Sequence, residues 1–133
     1  MPTTDFKVHD GLLVVEQTSE GERLRIALQG EMDLANADTA ESILSEALGS
    51  GRSVVVDLAK LEFLDSTGLA LLVAAMRSDS DDQLSFLPSE HAAVRRLLNL
   101  TGLDERMNLA SAGAVTPSAA SSKAELLMPT PRS

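Results

Sequence analysis

Residues 53–76 read SVVVDLAKLEFLDSTGLALLVAAM, and this stretch decides the fold. It opens with the β-branched run Ser53 to Leu58, which is typical of a short strand buried on both faces. It closes with the apolar run Leu69 to Met76, which we predict to be a buried helix. A buried strand followed by a helix is the repeating unit of a parallel α/β sheet. The junction is the polar segment Asp65-Ser66-Thr67-Gly68.

The N-terminal side of this unit predicts a hairpin and a helix. Leu12 to Glu16 and Arg23 to Leu28 flank a polar loop, as the two strands of a hairpin do. Gly30 is predicted to end the second strand. Asn36 is predicted to N-cap the helix, which Gly49 and Gly51 end. Its apolar positions recur at helical spacing: Ala40, Ile43, Leu44, Ala47 and Leu48.

The C-terminal side predicts one more strand and one more helix. Leu84 to Leu87 is the strand, and Ser89 is the predicted N-cap of the helix. Gly102 is placed to terminate that helix, and Met107 to Leu109 is a possible last strand. The predicted apolar face of the helix comprises Val94, Leu97, Leu98 and Thr101.

Together these elements predict a single α/β domain over residues 1–110. Its sheet is expected to be mixed and mostly parallel, with four to five strands, an N-terminal hairpin and three to four helices packed on it. Residues 111–133 hold three of the five prolines and many alanines and serines, which predicts a flexible tail. Within it, Ser122-Lys123-Ala124-Glu125 fits a capping box, so a short helix is the alternative there.

Composition excludes several classes of function. The net charge of −9 and the presence of only three aromatic residues argue against nucleic acid and anionic membranes as partners. Acidity favours a partner with a basic face, although solubility alone is the first explanation of the negative charge. Cysteine is absent, and the two histidines lie far apart, so we expect no metal site. With no basic or apolar leader and no apolar run of about 20 residues, a cytoplasmic protein is expected.

Enzyme motifs are also missing. No phosphate-binding glycine loop occurs, so we expect no bound nucleotide or other cofactor. Ser66 is not a nucleophile elbow, because position 64 is Leu. Asp57 follows a buried strand as a receiver-domain phosphoacceptor does, but Glu31 and Asp33 are a poor substitute for the acidic pair that such a site needs. The chain is therefore predicted not to be an enzyme.

Ser66 stands out for its position at the start of a helix. A serine there is most often an N-cap, which accepts a backbone hydrogen bond worth about 1 kcal/mol. Asp65 can take that role instead, which leaves the Ser66 hydroxyl free, and Gly68 removes a side chain beside it. Free N–H groups and the helix dipole favour an anion such as a phosphate at this end.

Four segments resemble the STAS domain of bacterial anti-sigma factor antagonists: Gly30-Glu31-Met32-Asp33, Val54 to Leu58, Phe63 to Leu69, and Val94 to Asp104. The resemblance runs from about Val14 to Leu109. It implies a binding module that engages an anti-sigma factor and frees a sigma factor. In that family the anti-sigma factor is also a serine kinase that carries the ATP, and it phosphorylates the antagonist to switch partners; a phosphatase reverses the step.

The resemblance also assigns site residues. Ser66 matches the phosphoacceptor, and Asp65, Thr67 and Gly68 match the residues that shape its loop. Asp33 matches the aspartate on the family's partner-binding face. The implied partner-binding set is therefore Asp33, Asp65, Ser66, Thr67 and Gly68, in a phosphoprotein that regulates transcription during stress.

Three alternatives stay open within the same fold. Gly68 to Leu72 also resembles the STAS accessory subunits of ABC-type lipid transporters, in which the same helix would dock a transporter ATPase. A stressosome-type scaffold component is the second alternative, and a STAS interaction domain without phosphorylation is the third. The oligomeric state is left open by the sequence.

Overall fold

The computed structural model describes residues 2–79 and 82–101, which form six strands and three helices. The strands are β1 (Thr3–Asp10), β2 (Leu13–Glu20), β3 (Arg23–Met32), β4 (Ser53–Asp57), β5 (Leu61–Leu64) and β6 (Leu84–Leu87). The helices are α1 (Ala37–Gly49), α2 (Ser66–Ser78) and α3 (Ala92–Leu100). The predicted features at Gly102, Met107 to Leu109 and 111–133 lie outside the described residues.

All six strands belong to one mixed sheet. Its order is β1-β2-β3-β4-β6, with β5 paired to β3 beyond the end of β4. β1, β2 and β3 pair in antiparallel fashion, whereas β3–β4, β3–β5 and β4–β6 are parallel. The predicted α/β class, the hairpin and the mixed sheet are confirmed, and the sheet has six strands in the described residues instead of four to five.

Two strands were missed for identifiable reasons. Most residues of β1 are exposed, so this strand lacks the apolar alternation that marks a half-buried strand. β5 has four residues, of which only the first and last are buried. The second hairpin strand also runs further than predicted. Gly30 lies inside β3 instead of ending it, at the point where β3 shifts register to pair with β5.

The core is aliphatic and lies between the helices and one face of the sheet. Alternate residues of β3 and β4 face it, among them Leu24, Ile26 and Val54, and Phe86 is its largest side chain. Helix α2 is less buried than predicted. Leu72 is its one fully buried large side chain, and Ala70 and Ala74 are exposed.

The predicted N-cap Asn36 is right in position but makes no side-chain cap bond, and the predicted cap Ser89 is wrong. Asn36 makes no side-chain cap to α1, because its Oδ1 accepts instead from the backbone N–H of Asp33 (2.9 Å). Ser89 does not cap α3, which begins three residues later with His91 at the N-cap position. The buried Ser89 hydroxyl donates to the carbonyl of Leu61 (2.8 Å) and so ties the β6–α3 loop to β5.

An ion pair joins β3 and β4. Asp57 is almost fully buried and accepts from the Arg25 guanidinium, with Nε at 3.0 Å, and from the backbone N–H of Ala59. The hydrogen bond to Asp57 raises the pKa of Arg25 above its usual value. Asp57 therefore links β4 to β3 through Arg25 and to the turn after β4 through Ala59. Within the described ranges, no helix has the length and apolar character needed to cross a bilayer.

Candidate functional site

The candidate site lies where two neighbouring parallel strands end. β3 ends at Met32 and β5 ends at Leu64, and these two residues are paired in register. The backbone N–H of Asp65 donates to the carbonyl of Met32 (3.2 Å), which extends the pairing by one residue. Asp33 and Asp65 therefore follow adjacent strand ends at one edge of the sheet, although they lie far apart in the sequence.

The carboxylate of Asp65 links two segments at this edge. Its Oδ1 accepts from the backbone N–H of Gly68 (2.9 Å), as an N-cap does, and the carbonyl of Asp65 accepts the first helical bond from Leu69 (2.9 Å). Its Oδ2 accepts from the backbone N–H of Leu34 (3.1 Å). One side chain thus caps helix α2 and fixes the loop after β3.

Because Asp65 caps helix α2, the Ser66 side chain is not needed as the N-cap. It is the first residue of α2 and is exposed. Among the described residues its hydroxyl has no hydrogen-bond partner, and neither do the backbone N–H groups of Ser66 and Thr67. Thr67, the neighbouring hydroxyl, is half-buried. The site therefore presents a free primary hydroxyl beside two free N–H donors at a helix N-terminus.

The loop 33–36 beside Ser66 is held by its own hydrogen bonds. Oδ1 of Asp33 accepts from the backbone N–H of Ala35 (3.0 Å), and its carbonyl accepts from Asn36 and Ala37. Asn36 is buried, and its Nδ2 donates to the carbonyls of Glu31 (3.1 Å) and Asp10 (3.3 Å). Asn36 is therefore the hub of the loop, a role that sequence reasoning missed because an asparagine before a helix is usually a cap.

Gly68 allows helix α2 to approach the end of β3 closely. A Cβ at this position would lie 3.2 Å from the carbonyl oxygen, Cγ and Cε of Met32. Such contacts are tighter than ordinary van der Waals packing, and the carbonyl belongs to a strand that cannot easily move. Gly68 therefore keeps the first turn of α2, and Ser66 with it, close against the sheet edge.

A shallow, mostly apolar groove of about 640 Å³ runs along α2 from the site. Ser66 lines one end and Arg77 the other, with Leu69, Ala70 and Val73 between them. The helix surface beside Ser66 is therefore mostly apolar, and such a surface is suited to contact with another protein.

The structure brings the predicted site residues together. Asp65, Ser66, Thr67 and Gly68 form the cap and first turn of α2, and Asp33 stands at the start of the loop that Asp65 holds.

Leu34 was not predicted as a site residue, yet it is 75% exposed beside Asp65. The available signal was a large apolar residue in the short loop between Asp33 and Asn36. In the described part of the chain, no group of three or more His, Asp or Glu side chains is placed to hold a metal ion.

Comparisons with known proteins agree on the family. The family model described as "Mlab, STAS domain" matches residues 15–111. An anti-sigma-B factor antagonist of Staphylococcus aureus is 26% identical over 99 residues, which cover 73% of this chain and 92% of that protein. The anti-sigma-F factor antagonist RsfB of Mycobacterium tuberculosis is 30% identical over 87 residues, which cover 65% and 71%.

A comparison with solved structures supports the fold. The crystal structure of an anti-sigma factor antagonist from Mycobacterium paratuberculosis superposes with a TM-score of 0.66 at 23% identity, over 80% of this chain and 86% of that one. The likeness confirms the fold, and the sequence matches add the family. This chain belongs to the STAS-domain family of anti-sigma factor antagonists.

Proposed function

We propose that the chain binds an anti-sigma factor that is also a serine kinase, that this binding frees a sigma factor, and that phosphorylation of Ser66 ends the binding. The observation that carries the proposal is the exposed Ser66 hydroxyl. This hydroxyl is free because Asp65, and not Ser66, caps helix α2. A hydroxyl without a hydrogen-bond partner in the described structure can be phosphorylated at no cost in internal contacts.

The helix end favours the modified form as a folded state. The free N–H groups of Ser66 and Thr67 and the positive end of the α2 dipole stabilise an anion at this position. A phosphate carries about −1.5 to −2 charges at neutral pH. Phosphorylation is therefore expected to leave the domain folded and to act on the surface.

At that surface the new charge works against binding. Asp33 and Asp65 already place two carboxylates in the same small region. A partner shaped to accept a neutral hydroxyl would have to desolvate the phosphate, and an unpaired buried charge typically costs about 3–5 kcal/mol. The phosphorylated chain therefore releases the partner, and a phosphatase that removes the phosphate restores binding.

In this proposal the chain is a substrate and a binding partner, and the catalytic groups belong to other proteins. ATP and Mg²⁺ are held by the kinase. The exchange takes place in the cytoplasm, where sigma factors and their regulators act.

The proposal is tested by phosphorylation in vitro. The wild-type chain is incubated with ATP and each serine-kinase anti-sigma factor of the same genome, and mass spectrometry locates the phosphate. We expect one phosphate, on Ser66, with at least one of these kinases. Ser66→Ala should remain unmodified while it still binds the same kinase.

Thr67→Ala is the matched control, because it removes the neighbouring hydroxyl from the same helical turn. This variant should still carry its phosphate on Ser66, whatever the effect of the substitution on the rate. A phosphate on Thr67 or elsewhere, or no phosphate with any of the kinases, would contradict the proposal.

A second candidate function is supported by the description of the matching family model, which names Mlab. A STAS accessory subunit of an ABC-type lipid transporter would use the exposed small-residue side of α2, at Ala70 and Ala74, to dock a transporter ATPase. A pull-down with the full chain distinguishes the two. Recovery of a soluble kinase-type anti-sigma factor supports the first function, and recovery of a membrane-transporter ATPase supports the second.

A further inference from the structure

Leu34 is a highly exposed apolar side chain beside the candidate site. It is 75% exposed and sits in the loop between β3 and α1. Isolated exposed leucines are common on protein surfaces and need no explanation by themselves. This one differs from such a residue in two respects, which are the rigidity of its backbone and its direct link to the residue that caps the Ser66 helix.

The backbone around Leu34 is held on both sides. Its own N–H donates to Oδ2 of Asp65 (3.1 Å). The following N–H, from Ala35, donates to Oδ1 of Asp33 (3.0 Å), and the buried Asn36 anchors the end of the loop. The side chain is thus displayed on a fixed backbone, so little backbone entropy is lost when it is buried by a partner.

Leu34 and Ser66 belong to one surface. Asp65 accepts from Leu34 with one carboxylate oxygen and is followed directly in the chain by Ser66. Ser66 also lines one end of the apolar groove along α2, which continues to Leu69. A protein that reaches the Ser66 hydroxyl therefore lies within contact range of Leu34.

We infer that Leu34 is an apolar anchor that inserts into a hydrophobic pocket of the anti-sigma factor and helps to determine which anti-sigma factor the chain binds. The inference rests on the proposed function, and it adds a contact that does not depend on charge. The pocket must be apolar at its centre, because burial of the leucine supplies the energy, with basic groups at its rim to face Asp33.

The test measures binding of the full chain to the purified serine-kinase anti-sigma factor that phosphorylates it. Leu34→Ala should weaken binding by about 10- to 100-fold, the effect of leaving a leucine-sized pocket unfilled. The loss of affinity should appear as faster dissociation. Its size should be the same at low and high salt concentration, because the lost contact is apolar. In the kinase reaction KM should rise while kcat stays constant, because the anchor acts equally in the ground state and the transition state.

Matched variants distinguish the loss of an apolar contact from a nonspecific effect of the substitution on the fold. Leu34→Met keeps the apolar volume and should retain binding within about threefold, whereas the similarly sized polar Leu34→Asn should lose as much as Leu34→Ala. Leu100→Ala removes a leucine of similar exposure (79%) on α3 and should bind as the wild type does. Asp33→Asn should instead slow association and reduce its dependence on salt.

The outcomes separate this inference from the proposed function. If the wild type binds the kinase and Leu34→Ala binds equally well, the anchor is wrong and the phosphorylation switch stands. Equal losses for Leu34→Ala and Leu100→Ala would also overturn the anchor. If the wild type binds none of the kinases, the proposed function is wrong and the anchor is wrong with it.

Discussion

Asp65 connects the two segments that form the candidate site. One carboxylate oxygen accepts from Gly68 and the other from Leu34. The capping role was predictable, because an aspartate directly before a helical run is a common N-cap. The link to Leu34 was not, because it joins residues 31 positions apart and depends on how β3 and β5 pair.

Replacement of Asp65 should weaken the fold measurably. Asp65→Ala removes the cap and the tether, so the free energy of unfolding should fall by about 1–2 kcal/mol. Asp65→Asn keeps one acceptor oxygen and should lose less. Urea unfolding of the three proteins measures the difference, and equal stability of Asp65→Ala and the wild type would show that neither hydrogen bond matters.

Asn36 and Ser89 show where local sequence rules fail at the residue scale. Each precedes a helix and has the side chain of a good cap, yet each binds a partner outside its helix. Both residues are buried, so their polar atoms had to be paired within the fold, and the partners came from distant strands and loops. Only the assembled sheet shows which partner is available.

At the scale of elements, β3 is central because it pairs with three other strands. Gly30 is where this strand changes partners. It has φ of +92°, and a Cβ there would lie 2.1 Å from the carbonyl oxygen of Leu12. The sequence predicted that Gly30 ends the strand. The close approach of Leu12, which comes from the β1–β2 turn, explains the glycine instead.

Gly30→Ala should therefore be among the more damaging single substitutions in this chain. The added methyl group meets backbone and must adopt an unfavourable φ, so we expect a loss of about 2 kcal/mol or more in unfolding free energy. Gly49→Ala is the control, because its Cβ meets nothing within 4 Å and it lies in the last turn of α1. It should be neutral or slightly stabilising. Similar thermal midpoints for both variants would contradict this account of Gly30.

The strands that were predicted differ from those that were missed in how strongly they are patterned. β4 is a continuous β-branched run and β3 alternates, so both are recognisable without a structure. β1 and β5 carry no such pattern, since one is mostly exposed and the other is very short. β5 nevertheless matters most for the site, because it delivers Asp65 and Ser66 to the end of β3.

At the scale of the whole molecule, the ends of β3 and β5 hold Ser66 at one edge of the sheet, where its proposed phosphorylation would act. The chain already carries a net charge of −9, so a phosphate of about −1.5 to −2 alters the overall charge modestly. Its local effect is larger, because the phosphate lies beside Asp65 on the surface proposed to contact the partner. The candidate site residues were predictable through the family resemblance, and the free Ser66 hydroxyl was predictable from Asp65 as the alternative cap. The displayed Leu34 required the structure, because its tether to Asp65 depends on how the strands pair.

The most direct test compares the chain phosphorylated on Ser66 with the unmodified chain, in binding to the same anti-sigma factor and in urea unfolding. The account predicts that phosphorylation, or Ser66→Asp, weakens binding about 100-fold or more, while the unfolding free energy changes by less than about 1 kcal/mol. Equal affinity of the two forms would contradict the account, as would a loss of binding that is accompanied by unfolding of the domain.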